Sequence, residues 1–237
     1  DLMGIHDADT MNAVAAAGRQ LKPELMVYGE GWDLPTALND DLKACQRNNA
    51  KMPQVAHFND YFRDVVKGKT SDFDVQAKGY ATGNLFQAHD MPSALCANTL
   101  NKEMYKIYQQ PTQSINYVEC HDNATSWDKM KDCCKDEVRE IRVKRQKLMI
   151  AVTLVAQGVP FLQSGQEFCR TKYGYHNTYN APDNVNQIDW ERKNRHNEVV
   201  EFTRDCLRLR KLIRAFRFAS TEEIESHVHF EVTEGQM

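Results

Sequence analysis

The sequence predicts an α/β fold in which short parallel strands alternate with helices and curve toward a β/α barrel. Four short apolar runs, "ELMVY" (24–28), "VAHF" (55–58), "INYVE" (115–119) and "VPFLQ" (159–163), are separated by stretches that include helical spacing. Strands this short and this apolar are buried on both faces, which is the habit of a parallel sheet. Each run is also followed by polar or acidic residues: Glu30, Asn59 with Asp60, His121 with Asp122, and Gln166 with Glu167. A barrel gathers all such strand ends at one mouth, so a barrel fits better than a doubly wound sheet.

The elements follow in chain order. Asp7 or Asp9 can cap a helix whose apolar positions Met11, Val14, Ala15 and Leu21 recur at helical spacing, and Pro23 stops it. The first strand ends at Gly29, and the second runs into the amphipathic stretch "NDYFRDVVKG", stopped by Gly68. Residues 69–113 read as loop with short helices. The third strand leads into a polar loop through "CHDNATSWDKMKD". A long helix follows over about 136–156, with Val138, Ile141, Leu148, Met149, Val152 and Val155 on one stripe. After the fourth strand a polar loop reaches Trp190. A helix over 197–214 then places Val199, Phe202, Cys206, Leu209 and Ile213 on one side, and the tail "HVHFEVTE" alternates by twos like a first strand of an all-β unit.

Composition excludes several classes of function. A formal charge of −3 over 237 residues supplies no positive field for nucleic acid or an acidic membrane surface, and neutral substrates suit the chain better. The longest nearly apolar run, "LMIAVTLVA" (148–156), is about half of what a bilayer crossing needs, so no membrane span is expected. The seven cysteines show no C-x-x-C pair and no regular spacing, which points to free thiols in a reducing, cytoplasmic compartment. The adjacent Cys133 and Cys134 read as ordinary thiols. No ligand cluster of metal spacing is visible, so no metal and no cofactor is expected. Calcium is left open, because loop carbonyls and scattered carboxylates carry no readable spacing.

"VYGEGWD" (27–33) sets Glu30 between two glycines and beside Trp32. The glycines let the backbone turn sharply and approach a ligand, and Trp32 supplies apolar surface that disfavours the charged form of Glu30. Taken alone, His121 reads as a core histidine and Asp122 as a turn cap. His6 and His57 read as packing groups, Trp127 and Tyr80 as core aromatics or stacking surfaces, and Gln166 and Glu167 as supports of the mouth.

The set "DLMGIHD" (1–7), "YGEGWD" (28–33), "HFNDYFRD" (57–64), "YVECHDN" (117–123), "GVPFLQSGQEF" (158–168) and "RTKYGYHNTYNAPDNVNQIDW" (170–190) resembles the α-amylase clan of glycoside hydrolases, and most closely the type I pullulanase family of debranching enzymes. The resemblance runs through most of the chain in the family's order. It implies that the chain spans the C-terminal half of a (β/α)8 TIM barrel, from the end of strand 4 through strand 8 and the last helix. Residues 1–215 would form that half and 216–237 the beginning of a C-terminal β-domain. It further implies that Asp1 is the nucleophile, Glu30 the general acid and base, and Asp122 the third carboxylate, with His121 on the same sugar. Retaining hydrolysis asks for two carboxyl groups roughly 5–5.5 Å apart across the sugar carbon. Trp32 would stack on sugar. Asn180, Asp183 and Asn184 would either bind a sugar remote from the cut or simply shape the turns around Pro182.

The substrate implied is an α-glucan with α-1,6 branches, such as pullulan, glycogen or starch-derived dextrins. The alternatives are an isoamylase-like or branching enzyme of the same clan, or a non-catalytic maltodextrin-binding fragment. The family's first four strands, and its arginine two positions before the nucleophile, have no counterpart here. The expected partner is therefore the missing N-terminal half of the barrel. The chain by itself is expected to be inactive, and its open sheet edges to favour self-association.

Overall fold

The computed structural model describes residues 1–70, 74–100 and 105–231. Helix α1 (Ala8–Leu21) starts where the Asp7 side chain accepts hydrogen bonds from the Thr10 amide (2.7 Å) and hydroxyl (2.8 Å). Strands β1 (Val27–Gly29) and β2 (Val55–Asn59) follow, and Asn59 caps α2 (Asp60–Val66) by accepting from the Phe62 amide at 3.0 Å. A short α3 (Met91–Leu95) lies in the long connection to β3 (Ser114–Asn116). Then come α4 (Ser126–Cys133), α5 (Arg139–Val155), β4 (Val159–Pro160), α6 (Asp183–Asn186), α7 (Glu191–Arg195), α8 (Asn197–Leu212) and α9 (Thr221–His227).

The four strands form one parallel sheet in the order β1-β2-β3-β4, with Tyr28 beside Ala56, His57 beside Ser114 and Asn116 beside Pro160. Each new strand adds on the same side, without the order reversal of a doubly wound sheet. Strand periodicity sorts the side chains into two faces. One carries Tyr28, Phe58, Tyr117 and Phe161, whose rings meet around Phe58 at centroid distances of 5.8, 5.0 and 5.1 Å. The other carries His57, Asn59, Ser114 and Asn116, all buried. Apart from His57, its polar groups satisfy one another: the Asn59 amide donates to Asn98 Oδ1 (2.8 Å) and Ser114 Oγ (2.9 Å), Ser114 Oγ donates to Asn116 Oδ1 (2.8 Å), and Asn116 donates to the Gln157 carbonyl (2.5 Å). Outside the sheet, Phe62, Val66, Met130, Met149, Ile150 and Val199 lead the main apolar core between the helices.

Several expectations are corrected. The polar loop expected after the third strand becomes α4 at Ser126, because Thr125 accepts from the Asp128 amide at 3.1 Å. In α5 the predicted stripe is half wrong: Met149 and Val152 are buried, while Val138, Ile141 and Leu148 are exposed. The covered side instead includes Val143 and Gln146, whose amide donates to the Gln166 carbonyl at 3.0 Å. In α8 the buried residues are Val199, Val200, Thr203 and Arg210, while Leu209 and Ile213 are exposed. Arg210 is inside because its guanidinium donates to the carbonyls of Leu154, Ala156, Phe216 and Gly158, each at 2.8 Å. In α1, Val14 and Leu21 are exposed.

The tail expected to be a strand over 227–234 begins as the end of α9, and residues 228–231 carry no strand; the remainder lies outside the described residues, as do 71–73 and 101–104 of the expected loop. Ile224 of α9 packs with Cys96 and Leu100. All seven cysteines are free thiols. Among the described residues no helix is long and apolar enough to cross a membrane.

Candidate active site

Glu30 sits one residue beyond β1 and is 5% exposed. The first residues of the chain lie along it: the Gly4 amide donates to the Glu30 carbonyl at 3.0 Å and the Leu2 amide to Glu30 Oε2 at 3.3 Å. This contact is so close that a Cβ on Gly4 would fall 1.9 Å from the Trp32 carbonyl oxygen. Gly31 is equally constrained, since its Cβ would fall 2.3 Å from His57 Nδ1. The need there is for close approach of backbone to neighbour.

Asp1, Glu30 and His121 each bring one donor atom to a common point, all within 4.8 Å of one another. His121 Nε2 lies 3.6 Å from Glu30 Oε1 and 3.6 Å from Asp122 Oδ1, so the sequence-distant Glu30 and Asp122 flank the same imidazole. Asp1, Glu30 and His121 border a cavity of about 610 Å³ whose wall includes Tyr28, Phe58, Phe161 and Gln163. A second cavity of about 300 Å³ shares Asp1, His121, Gln163 and Arg170 and adds Asp122 and Lys172. An apolar floor under convergent acids suits a ligand with both ring faces and hydroxyls.

The loop that carries His121 and Asp122 is anchored by buried charges that sequence reading did not single out. Lys172, 1% exposed, donates from Nζ to the His121 carbonyl (2.8 Å) and to Thr178 Oγ1 (3.3 Å), and burial lowers its pKa. Asp128 fixes the segment bearing Lys172 by accepting from the Lys172 amide (2.6 Å) and the Thr171 hydroxyl (2.5 Å). Burial opposes its charge, but the Lys131 ammonium and Thr171 hydroxyl prevail and hold its carboxyl below the usual range. On the other side of the loop, buried Glu119 accepts from the Ser126 amide and hydroxyl, both at 2.5 Å, and burial still pushes its carboxyl upward. Lys67, also buried, is pushed down to about 8 by burial, against the pull of Glu119. No local pattern in the sequence marks Lys172 as a support, because its partner His121 lies 51 residues away in the chain.

The remaining predicted residues fall elsewhere. Trp32 packs its half-buried ring against the cluster of Ala56, Phe58, Ile115 and Tyr117, and borders neither cavity. Asn180, Asp183 and Asn184 are exposed and line neither, and Asn186 takes that place on the wall. Asp183 opens α6 behind Pro182, the turn-shaping alternative for this segment. His6 is exposed and His57 fully buried. A cavity of about 640 Å³ lies apart from all these residues, beside Asp60, Asp64 and the stacked rings of Tyr61 and Tyr105.

Sheet and site together define an α/β unit that collects acid groups and an imidazole at the carboxyl ends of parallel strands, the position ligands take in such folds. The chain is homologous to type I pullulanases. It is 43% identical to a pullulanase of Bacillus subtilis over 228 residues, 96% of this chain and 32% of that protein. Among solved structures, a pullulanase of Anoxybacillus sp. LM18-11 complexed with maltotriose superposes with a TM-score of 0.92 at 45% identity, covering 98% of this chain and 32% of the other. A pullulanase of Paenibacillus barengoltzii, in complex with maltohexaose and α-cyclodextrin, gives 0.93 at 38% identity, over 98% and 36%. The chain thus spans about a third of the length of these relatives. No family model matches it.

Proposed function

We propose that this chain supplies the C-terminal half of a catalytic (β/α)8 barrel, residues 1–215, leading through 216–237 into a further domain, in a hydrolase that cuts α-1,6 branch linkages of glucans. The observation that carries the reading is the meeting of Asp1, Glu30 and His121 within 4.8 Å, with Asp122 beside the imidazole. Carboxyl groups at that spacing suit retention, which uses roughly 5–5.5 Å, better than inversion, which uses roughly 6.5–9.5 Å.

In the first step the Asp1 carboxylate attacks the anomeric carbon while its bond to the branch oxygen breaks and Glu30 gives that oxygen its proton. In the second, Glu30 takes a proton from water, the water oxygen bonds to the anomeric carbon, and the Asp1 ester is released. Asp122 and His121 hold hydroxyls of the sugar being cut, and Tyr28, Phe58 and Phe161 offer it an apolar wall. The pullulanase homology and the maltooligosaccharides bound by the similar structures support an α-glucan as ligand.

The sheet has β1 and β4 at its edges, and a barrel closes only when further strands join them. The preceding half of the barrel is therefore the partner this reading requires, and the chain alone binds maltodextrin without cutting it and associates through its edges. Seven free thiols favour a reducing, cytoplasmic setting. The test is a longer chain extended upstream: it releases maltotriose from pullulan, and Glu30→Gln slows release by about 10²–10⁴-fold, the usual share of a positioned proton donor. Undiminished release by Glu30→Gln refutes the assignment, and transfer to new branches without hydrolysis marks a branching enzyme instead.

A further inference from the structure

We infer that Cys133 and Cys134 form a reversible redox site, at which hydrogen peroxide joins the two neighbouring sulfurs as a disulfide. The site stands apart from the hydrolase reading, since neither cysteine borders the cavities of the candidate active site. In sequence the two look like ordinary thiols, but the structure sets their Sγ atoms 3.7 Å apart, in contact. Their access differs. Cys133, the last residue of α4, is 6% exposed, and Cys134, which caps that helix, is 2% exposed. An oxidant little larger than water therefore meets Cys133 first.

The charges around the pair divide it the same way. Cys133 feels the ammonium groups of Lys129 and Lys78. Lys129 Nζ donates to the Lys69 carbonyl (2.6 Å) and the Asp74 carbonyl (2.8 Å), neutral acceptors that leave its charge in place. Cys134 instead feels Glu137 and Arg145, which neutralise each other through two bonds of 2.6 Å. The Thr82 carbonyl, 3.3 Å from Cys134 Sγ, gives the Cys134 proton an acceptor. The contact with the Cys134 thiol and the two ammonium groups hold Cys133 below the usual thiol range against burial, while Cys134 is pushed up. Burial pushes Cys96 and Cys169 up to about 12 and raises Cys120 and Cys206 as well. Because the thiolate is the reactive form, Cys133 is the nucleophile and Cys134 the resolving thiol.

In the first step the Cys133 sulfur bonds to one peroxide oxygen, the O–O bond breaks, and the departing hydroxide takes up a proton as water. In the second, Cys134 gives up its proton and its sulfur bonds to the sulfur of the Cys133 sulfenic acid. The S–O bond breaks, and hydroxide leaves with that proton as a second water. The two sulfurs lose two electrons and the peroxide gains them. Neighbouring Cα atoms lie about 3.8 Å apart, short of the roughly 4.4–6.8 Å usual across a disulfide, so the ring is strained. A small dithiol therefore reopens it, restoring both thiols and leaving as its own cyclic disulfide. The peptide joining the two residues lies where α4 ends, so its backbone can turn without breaking the helix.

The test exposes the 237-residue chain to hydrogen peroxide, unfolds it, blocks the remaining thiols and reads each cysteine by peptide mass spectrometry. The expected product is a peptide two hydrogens lighter that holds both Cys133 and Cys134, formed about tenfold or more faster than any oxidation of Cys96 or Cys169 and reversed by dithiothreitol. In Cys134→Ala, oxidation should stop at a sulfenic acid that dimedone traps on Cys133. In Cys133→Ala, dimedone should leave Cys134 unlabelled. The unaltered chain decides the matter if either variant fails to fold. Both thiols intact after Cys96 or Cys169 has reacted, or a disulfide from either one to a different cysteine, overturns the site. Sulfinic acid on Cys133 in place of the disulfide overturns the resolving role of Cys134, dimedone on Cys134 in Cys133→Ala overturns the choice of nucleophile, and a product that dithiothreitol leaves unchanged overturns reversibility.

Discussion

Replacing Lys172 by methionine tests whether the loop bearing His121 and Asp122 is held from behind. The ammonium makes two hydrogen bonds, 2.8 Å to the His121 carbonyl and 3.3 Å to Thr178 Oγ1, from a side chain that is 1% exposed. A hydrogen bond to a charged group contributes about 1.5–3 kcal/mol, and the longer of the two less. Against that loss stands relief from burying a charge, the effect that already lowers the lysine's pKa. The net expectation is a destabilisation of about 1–3 kcal/mol by urea denaturation. The functional signature is separate: freed of its anchor, the His121 carbonyl shifts and the imidazole leaves its position 3.6 Å from Glu30 and Asp122. Maltotriose affinity, measured by calorimetry where both proteins are fully folded, should fall about tenfold, equivalent to about 1.4 kcal/mol. A variant that loses stability yet binds maltotriose like the parent would show that Lys172 only holds the fold together.

His57 is fully buried with neither ring nitrogen hydrogen-bonded among the described residues, and burial pushes its pKa down to about 4. Between about 4 and the ordinary value of 6.5 the unfolded chain binds a proton the folded chain refuses, so this contribution is complete above 6.5 and declines by up to about 3 kcal/mol as pH falls through that window. His57→Phe should flatten that slope in denaturation curves taken at its two ends. Gly31→Ala drives a methyl to 2.3 Å from His57 Nδ1 and should cost about 1–3 kcal/mol; pairing it with His57→Ala should recover part of the loss in a double-mutant cycle. Arg210→Met strips four carbonyls, those of Leu154 and Ala156 buried, of their donor and should lower stability by more than about 2 kcal/mol, with little recovery in Arg210→Lys, whose single ammonium cannot span the four.

What sequence could show followed from backbone rules. All four apolar runs became parallel strands, though β1, β3 and β4 are shorter than their runs, with pairing between β3 and β4 stopping at Asn116 and Pro160. Asp7 and Asn59 capped the helices beside them, as short acceptor side chains do. Helix faces were less legible. Periodicity ranks residues by hydrophobicity, and it cannot foresee that Arg210 finds four carbonyls inside while Leu209 stays out. Glu30 stood out as a strand-end carboxylate between two glycines, whereas His121 and Asp122 were drawn to the same site only by the resemblance to the debranching family. Lys172 and Glu119 were not legible, since a buried charge betrays itself only through partners distant in the chain. Trp32 misled for a related reason: adjacency in sequence to Glu30 says nothing about which side of the strand end its ring takes.

The amide and hydroxyl groups of Asn59, Ser114, Asn116 and Gln157 have a consequence for assembly. Side chains alternate along a strand, so a slip of β2 against β3 by a single position would carry Asn59 away from both Ser114 and Asn98 and leave dry, unpaired dipoles inside the protein. Greasy neighbours would tolerate such an error far better. Gln157 extends the constraint outward, donating to the Ala215 carbonyl at 2.6 Å and accepting from the Phe218 amide at 3.0 Å. The pairing of β2 with β3, and the turn before α9 that Gln157 ties to β3, are thus both held by groups that border neither site cavity.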